Sequence, residues 1–271
     1  MRRSAAPLLA LLAAACGGDA TEPDEVPYGE TTFVVVLNPA INDANEMDVA
    51  PPGASRLGVA VAVEGGPSAT TSADGVAVLS PVASGSRVIA FDGPDDGNVA
   101  LSIVEGDLRE VAVALDPSGA EVMADIRYEF GAEVVEISPA MTLAEVNAAL
   151  AASNSVVFFA AGTYTGDITF SGSNVTLFGE GNTGGAVTID GNVTVSGSQN
   201  RIRGARITGD LSVPASNFGM SFTQVDGTTD ISGSSSVMLA NTFCGTVTVS
   251  GSGARLLGNA GLAPVAAPAG C

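Results

Sequence analysis

A repeat with very little reactive chemistry in it limits what this chain can fold into. Residues 245–258 read GTVTVSGSGARLLG, and related stretches stand upstream at 166 (GDITFSGSNVTLFG), 191 (GNVTVSGSQNRIRG), 209 (GDLSVPASNFGMSF) and 227 (GTTDISGSSSVMLA). Aligned on the Ser-Gly-Ser corner, the units start at Ser171, Ser196, Pro214, Ser232 and Ser250, at spacings of 25, 18, 18 and 18. A fixed period of this length marks units that cannot bury an apolar face alone and must stack on their neighbours.

The columns say how they stack. One holds Ile168, Val193, Leu211, Thr229 and Val247, and the position two residues on holds Phe170, Val195, Val213, Ile231 and Val249. Polar residues sit between them (Thr169, Thr194, Ser212, Asp230, Thr248), which is the period of two expected of a strand with one buried face. Two further apolar columns follow, Leu177/Ile202/Met220/Met238/Leu256 and Ile189/Ile207/Val225/Phe243. Three short strands per unit joined by small polar corners describe the rung of a parallel β-helix. A left-handed hexapeptide helix also uses 18 residues per coil, but its apolar anchors recur every six residues, and here they fall seven, five and six apart. The seven extra residues of the first unit fall in 180–186, a corner loop.

The entry to the repeat has its own signal. Thr142-Leu-Ala-Glu145 is a capping box, in which the Thr hydroxyl meets the amide three residues on and the Glu reaches back. Met141 and Val146 are placed as a hydrophobic staple, so a helix is expected over 142–152. A helix there would cover the first rung, whose open strand edges would otherwise invite aggregation.

Upstream, residues 31–131 alternate short apolar runs (TFVVVL, RLGVAVAV, GVAVLSPV, SRVIAFD, NVALSIV, REVAVAL) with Gly- and Asp-rich turns, as antiparallel sandwiches do. Val111, Val113 and Leu115 are expected to face inward, with Glu110 and Ala112 outward. The turn DGPDDGN offers Asp92, Asp95 and Asp96 as weak Ca²⁺ ligands, and its plainer reading is a solvated turn. No other cofactor is expected.

Three resemblances bear on fold and address. The N-terminus, MRRSAAPLLALLAAACGGD, has two arginines, an apolar stretch too short to span a bilayer, and small residues before a Cys. It resembles a bacterial lipoprotein signal, which implies cleavage after residue 15 and lipidation of Cys16. The acidic, Pro- and Gly-containing residues 16–30 then read as a tether. Ala13 stands where the usual motif has Leu. Beyond Cys16, two thiols in an exported chain imply one disulfide, Cys244–Cys271. The segment ATTSADGVAVLSPVASGSRVIAFDG resembles carboxypeptidase-regulatory-like sandwiches, which serve as spacers or binding modules. The helix together with VVFFAAGTYTGDITFSGSNVTLFGEG resembles the start of pectate-lyase-like right-handed β-helices. The expected organisation is a signal (1–15), a tether (16–30), a β-sandwich (31–131), a short right-handed parallel β-helix with its capping helix (132–262) and a tail (263–271): an all-β chain.

The pectate-lyase resemblance raises the question of catalysis on acidic polysaccharide by lyase or hydrolase chemistry. No motif carries a catalytic residue of that family onto this sequence. The chain has no His, which removes the commonest general base, and its net charge of −19 argues against nucleic acid and anionic membrane surfaces as partners. Candidate ligand-binding residues are Asp190, Arg201, Arg203, Arg206, Asp210 and Asp226. Arg201 and Arg203 flank inward Ile202 and are expected to face solvent, and Asp190 and Asp226 share a column two rungs apart. The expected function is therefore a non-catalytic envelope lipoprotein that binds glycan or another envelope component, held to the membrane through lipid at Cys16 and facing the periplasm or outer membrane. The alternative is a polysaccharide lyase or hydrolase. The chain is expected to be a monomer or to assemble end to end.

Overall fold

A computed structural model describes residues 31–37, 48–50, 58–72, 75–93, 96–104, 107–116, 118–129, 133–180, 186–262 and 271. The expected signal and tether, Cys16, Asp95, most of the corner loop and most of the tail lie outside these residues. The fold is all-β with one helix: antiparallel sheets on the N-terminal side, then a parallel β-solenoid of about seven turns.

The N-terminal sheets have four strands each. One runs in the order Val76–Leu79, Thr31–Leu37, Leu108–Asp116, Gly119–Tyr128, and the other Ser68–Thr70, Ala60–Val63, Gly85–Asp92, Gly97–Ile103. Neighbours are antiparallel except Thr31–Leu37 with Leu108–Asp116, which run parallel. The two sheets share a core that includes Val61, Ile89, Phe91, Leu101, Val111, Val113 and Leu115, so the alternation in REVAVAL resolves as expected. Ser68–Thr70 and Gly119–Tyr128 are strands beyond the six apolar runs. Gly119–Tyr128 forms because Ala124, Ile126 and Tyr128 occupy one face and Asp125 and Arg127 the other.

The solenoid has three parallel sheets. The first comprises Glu133–Ile137, Ser155–Phe159, Val175–Gly179, Arg201–Arg203, Gly219–Ser221, Val237–Leu239 and Arg255–Leu257. The second comprises Gly162–Thr165, Val187–Asp190, Ala205–Ile207, Gln224–Val225 and Thr242–Phe243, and the third Ile168–Phe170, Val193–Val195, Leu211–Val213, Thr229–Ile231 and Val247–Val249. The columns read from the sequence are the observed registers: Val193 pairs with Leu211, Leu211 with Thr229 and Thr229 with Val247. Val195, Val213 and Ile231 are fully buried in one continuous core, with Val249 partly buried on the last rung.

Two kinds of corner hold the rungs together. At one, a glycine recurs because successive backbones nearly touch: a Cβ on Gly191, Gly209, Gly227 or Gly245 would lie 2.2–2.6 Å from the carbonyl oxygen of the glycine one rung below. Another corner turns through the left-handed region, with φ of 56° at Asn174, 62° at Gln199, 58° at Asn217 and 57° at Ser235; Asn is the non-glycine residue that tolerates this best. Inside, asparagines form a buried ladder that the apolar columns do not reveal. Asn241 Oδ1 accepts from the Thr223 amide (3.0 Å) and Asn259 Oδ1 from the Asn241 amide (2.8 Å), and the side-chain amides donate to Met220 and Met238 carbonyls. Each of these buried amides is thus answered by the neighbouring rung.

The helix spans Leu143–Ala151, capped by Thr142 and Glu145 as the sequence predicts. Glu145 Oε2 accepts from the Thr142 amide at 2.8 Å, which holds its carboxyl below the usual range. The helix buries Val146 and Leu150, and Asn147 completes the open edge of the third sheet: its Oδ1 accepts from the Thr169 amide (2.8 Å) and its Nδ2 donates to the Asp167 carbonyl (3.2 Å). At the far end Cys244 and Cys271 form a disulfide.

The N-terminal unit does not stand apart from the solenoid. Leu108, Ala112, Ala124, Ile126 and Tyr128, on the face turned away from the sandwich core, form one cluster with Val156, Phe178, Leu239 and Leu257 on the outer face of the first solenoid sheet. Asp48–Ala50, which falls within the expected sandwich segment, instead pairs parallel with Arg255–Leu257 as an eighth strand of that sheet.

Candidate functional site

A solenoid rung has three outward faces, and the six candidate residues are divided between two of them and a corner. Arg201 and Arg203 belong to the first sheet, whose outer face meets the sandwich. This corrects the expectation of a solvent-facing side chain for Arg203, and Arg201 is only partly exposed. Arg203 and Glu110 have no exposed side-chain surface, and Arg203 Nε donates to Glu110 Oε1 at 2.7 Å. The guanidinium lies over Phe178 and Phe222, 5.0 and 5.3 Å from their ring centroids, in the arrangement that favours a cation against an aromatic face. Tyr128 donates to Glu110 Oε2 at 3.1 Å and also meets the Ser221 hydroxyl. Burial, with the Glu110 charge next, pushes the Tyr128 phenol well above its ordinary pKa, so it stays protonated as a donor. Glu110 does point away from the sandwich core, as its alternation requires, but into a second buried layer instead of water.

Arg201 is largely buried beside this cluster. Its Nη1 donates to the Asn200 carbonyl (3.0 Å) and the Asn217 carbonyl (2.6 Å), and burial lowers its pKa. Arg203 is therefore tied into the joint between the two units, while the hydrogen bonds of Arg201 stay within the solenoid.

Asp210 occupies a corner. Its Oδ1 accepts from the Thr228 amide (2.7 Å) and hydroxyl (2.9 Å), while its own amide donates to Asn192 Oδ1 (2.9 Å), and the Asn192 amide in turn donates to Asp167 Oδ1 (2.9 Å). The Thr228 amide, then its hydroxyl, hold the Asp210 carboxyl below its usual pKa. The recurring Gly-Asp and Gly-Asn pairs are thus one ladder in which the side-chain oxygens of Asp167, Asn192 and Asp210 cap the amides of the next rung, ending at Thr228.

Asp190, Arg206 and Asp226 remain together on the outer face of the second sheet. Arg206 donates to Asp226 Oδ2 from Nε (2.9 Å) and Nη2 (2.7 Å), and Gln224 Nε2 donates to Asp226 Oδ1 (2.6 Å). The Arg206 side chain keeps 43% of its surface exposed. One rung away the Thr208 hydroxyl donates to Asp190 Oδ1 (3.0 Å) and stands between the two carboxylates. Cys244 Sγ lies 3.6 Å from Asp226 Oδ1, a contact only, because a disulfide sulfur carries no proton. Register continues the face on both sides: Thr163 pairs with Thr188, Thr188 with Arg206, Arg206 with Gln224 and Gln224 with Thr242. The result is a file of hydrogen-bonding side chains one strand spacing, about 4.8 Å, apart.

This face is equipped to hold a ligand rich in hydroxyl groups. Thr and Gln offer both donors and acceptors, and Arg206 has donor capacity beyond its bonds to Asp226. Gln224 and the threonines were not singled out by the sequence; their outward position in each rung is the signal that finds them. For metal, Asp92 is exposed, and Asp96 Oδ1 accepts from the Gly93 amide at 3.2 Å. Among the described residues no three His, Cys, Asp or Glu side chains are grouped to hold an ion.

No protein-family model, curated protein or solved structure matches the chain.

Proposed function

We propose that this is an exported envelope lipoprotein, anchored through lipid on Cys16, whose solenoid holds glycan on the outer face of its second sheet without turning it over. The observation that carries the reading is the exposed Arg206–Asp226–Gln224 cluster set in a file of threonines. The described strands of the N-terminal unit pack on the first sheet and not on this one, which suits a spacer that presents a binding surface. The pectate-lyase-like resemblance of the first rungs is consistent with a polysaccharide ligand, and the carboxypeptidase-regulatory-like resemblance of 60–115 with a spacer. Against turnover, both oxygens of Asp226 accept hydrogen bonds within the protein, and Asp190 is answered by Thr208.

The test is binding of the full chain carrying Cys16→Ser to a glycan array and to polygalacturonate, with and without Ca²⁺. Retention on at least one glycan is expected, weakened at least about tenfold by Arg206→Ala combined with Gln224→Ala. Binding that ignores both substitutions removes this face from consideration. Ultraviolet-absorbing unsaturated products from the polyuronate would replace the reading with a lyase. The anchor is checked separately: Cys16→Ser should move the protein from the membrane to the soluble fraction.

A further inference from the structure

The two ends of the solenoid meet different elements. At the first end the Leu143–Ala151 helix, an element of the solenoid's own segment, packs on the edge of the third sheet at Ile168–Phe170. The last strand of the first sheet, Arg255–Leu257, is covered by Asp48–Ala50, which comes from far earlier in the chain. The register is that of a further rung: Asp48 pairs with Arg255, Val49 with Leu256 and Ala50 with Leu257. Val49 therefore takes the next place in a file that runs Val135, Val157, Leu177, Ile202, Met220, Met238, Leu256, every member of it apolar.

The residues flanking this strand point the same way. Asp48-Val49-Ala50 is succeeded by Pro51 and Pro52. A three-residue strand, an acidic side chain at one end and prolines, which lack an amide hydrogen, at the other are the features by which natural sheets stop edge-to-edge pairing. The segment copies a rung on the side that meets the solenoid, and its sequence is unsuited to accept another strand beyond it.

We infer that Asp48–Ala50 is a self-inhibitory cap, occupying the place on the terminal edge that the same edge of a second copy would take. Without it Leu256 presents an unpaired amide and carbonyl, since the Arg255 amide donates to Ser236 and the Leu257 carbonyl accepts from Ala240 on the preceding rung; that edge is identical in every copy, so two copies can pair edge to edge about a two-fold axis. On the neighbouring third sheet, Val247 and Val249 are partly exposed where their file-mates Val193, Val195 and Val213 are fully buried, so the same end also offers apolar surface to a second copy. The cap acts whether or not the second sheet binds glycan.

The test replaces Asp48-Val49-Ala50 by Gly-Ser-Gly in the full chain carrying Cys16→Ser, so that acyl chains cannot drive association. Mass is measured by light scattering across a hundredfold concentration range at about 0.15 M salt, where the Debye length of about 8 Å screens the acidic chains from one another. The capped protein should hold one chain mass throughout, and the replaced one should rise toward two. A peptide of residues 43–53 added in excess should return it to one. A folded variant that stays monomeric overturns the inference, as does association that the peptide fails to reverse. Should the variant not fold, Val49→Asp serves in its place. On the unmodified chain, hydrogen exchange supplies an independent reading: a Leu256 amide that exchanges as freely as an open edge also overturns it, the Arg255 amide being held by Ser236 in either case.

Discussion

Arg203 and Arg206 are three residues apart, both point out of the solenoid, and they have opposite fates. Arg203 lies on the first sheet, under the N-terminal unit, without exposed surface and bonded to Glu110. Arg206 lies on the second sheet, nearly half exposed and bonded to Asp226 across neighbouring strands. The chemical pair is the same, an arginine with a carboxylate at 2.7 Å, and only the solvent differs. In water such a pair contributes little, because hydration competes and both side chains lose freedom. Out of water, each charge depends on the other for the solvation it has lost. The outward direction of a solenoid residue thus says nothing about its role until it is known which face another unit covers.

The contrast is tested most severely at the buried pair. Arg203→Ala leaves Glu110 charged and without its main partner, and the expected loss is about 3–5 kcal/mol of unfolding free energy, read from denaturant curves. Combining Arg203→Met with Glu110→Leu should recover most of that loss, because a buried pair replaced by apolar groups of similar size costs little. A double variant as unstable as the single one contradicts the account. Tyr128→Phe removes one donor to Glu110 and is expected to cost about 1–3 kcal/mol, the usual penalty for an unsatisfied buried acceptor. Arg206→Ala, the matched change on the second sheet, should cost no more than about 1 kcal/mol. If it costs as much as Arg203→Ala, the second sheet does not face water.

The smallest effect depends on pH. Asp210 has a folded-state pKa below its ordinary value, so its contribution to stability is present above about pH 4 and lost as pH falls through the folded value. Asp210→Asn retains an oxygen to accept from Thr228 but cannot titrate. The two proteins should melt alike at pH 7, and the acid limb of the variant, followed by circular dichroism, should be shallower. A variant whose acid limb matches that of the original excludes the Thr228 bond as the cause.

The residue pattern alone specifies the coil. Its period, inward columns, capping helix and stacked corners are local or nearest-rung properties, and each rung meets its neighbour by the same rule, so an 18-residue repeat suffices to read them. The disulfide followed from arithmetic on three cysteines. The buried asparagine ladder was readable in principle, since Asn241 and Asn259 are one period apart, but a polar residue in a rung gives no sign of whether it turns in or out at a corner. Long-range packing, and nothing local, settles which outward surface is covered and what closes the far end. Glu110 and Arg203 are 93 residues apart, and Asp48–Ala50 lies still farther from Arg255–Leu257. Contacts at such separation arise from how two finished surfaces fit, and no periodicity within either surface encodes the identity of the other.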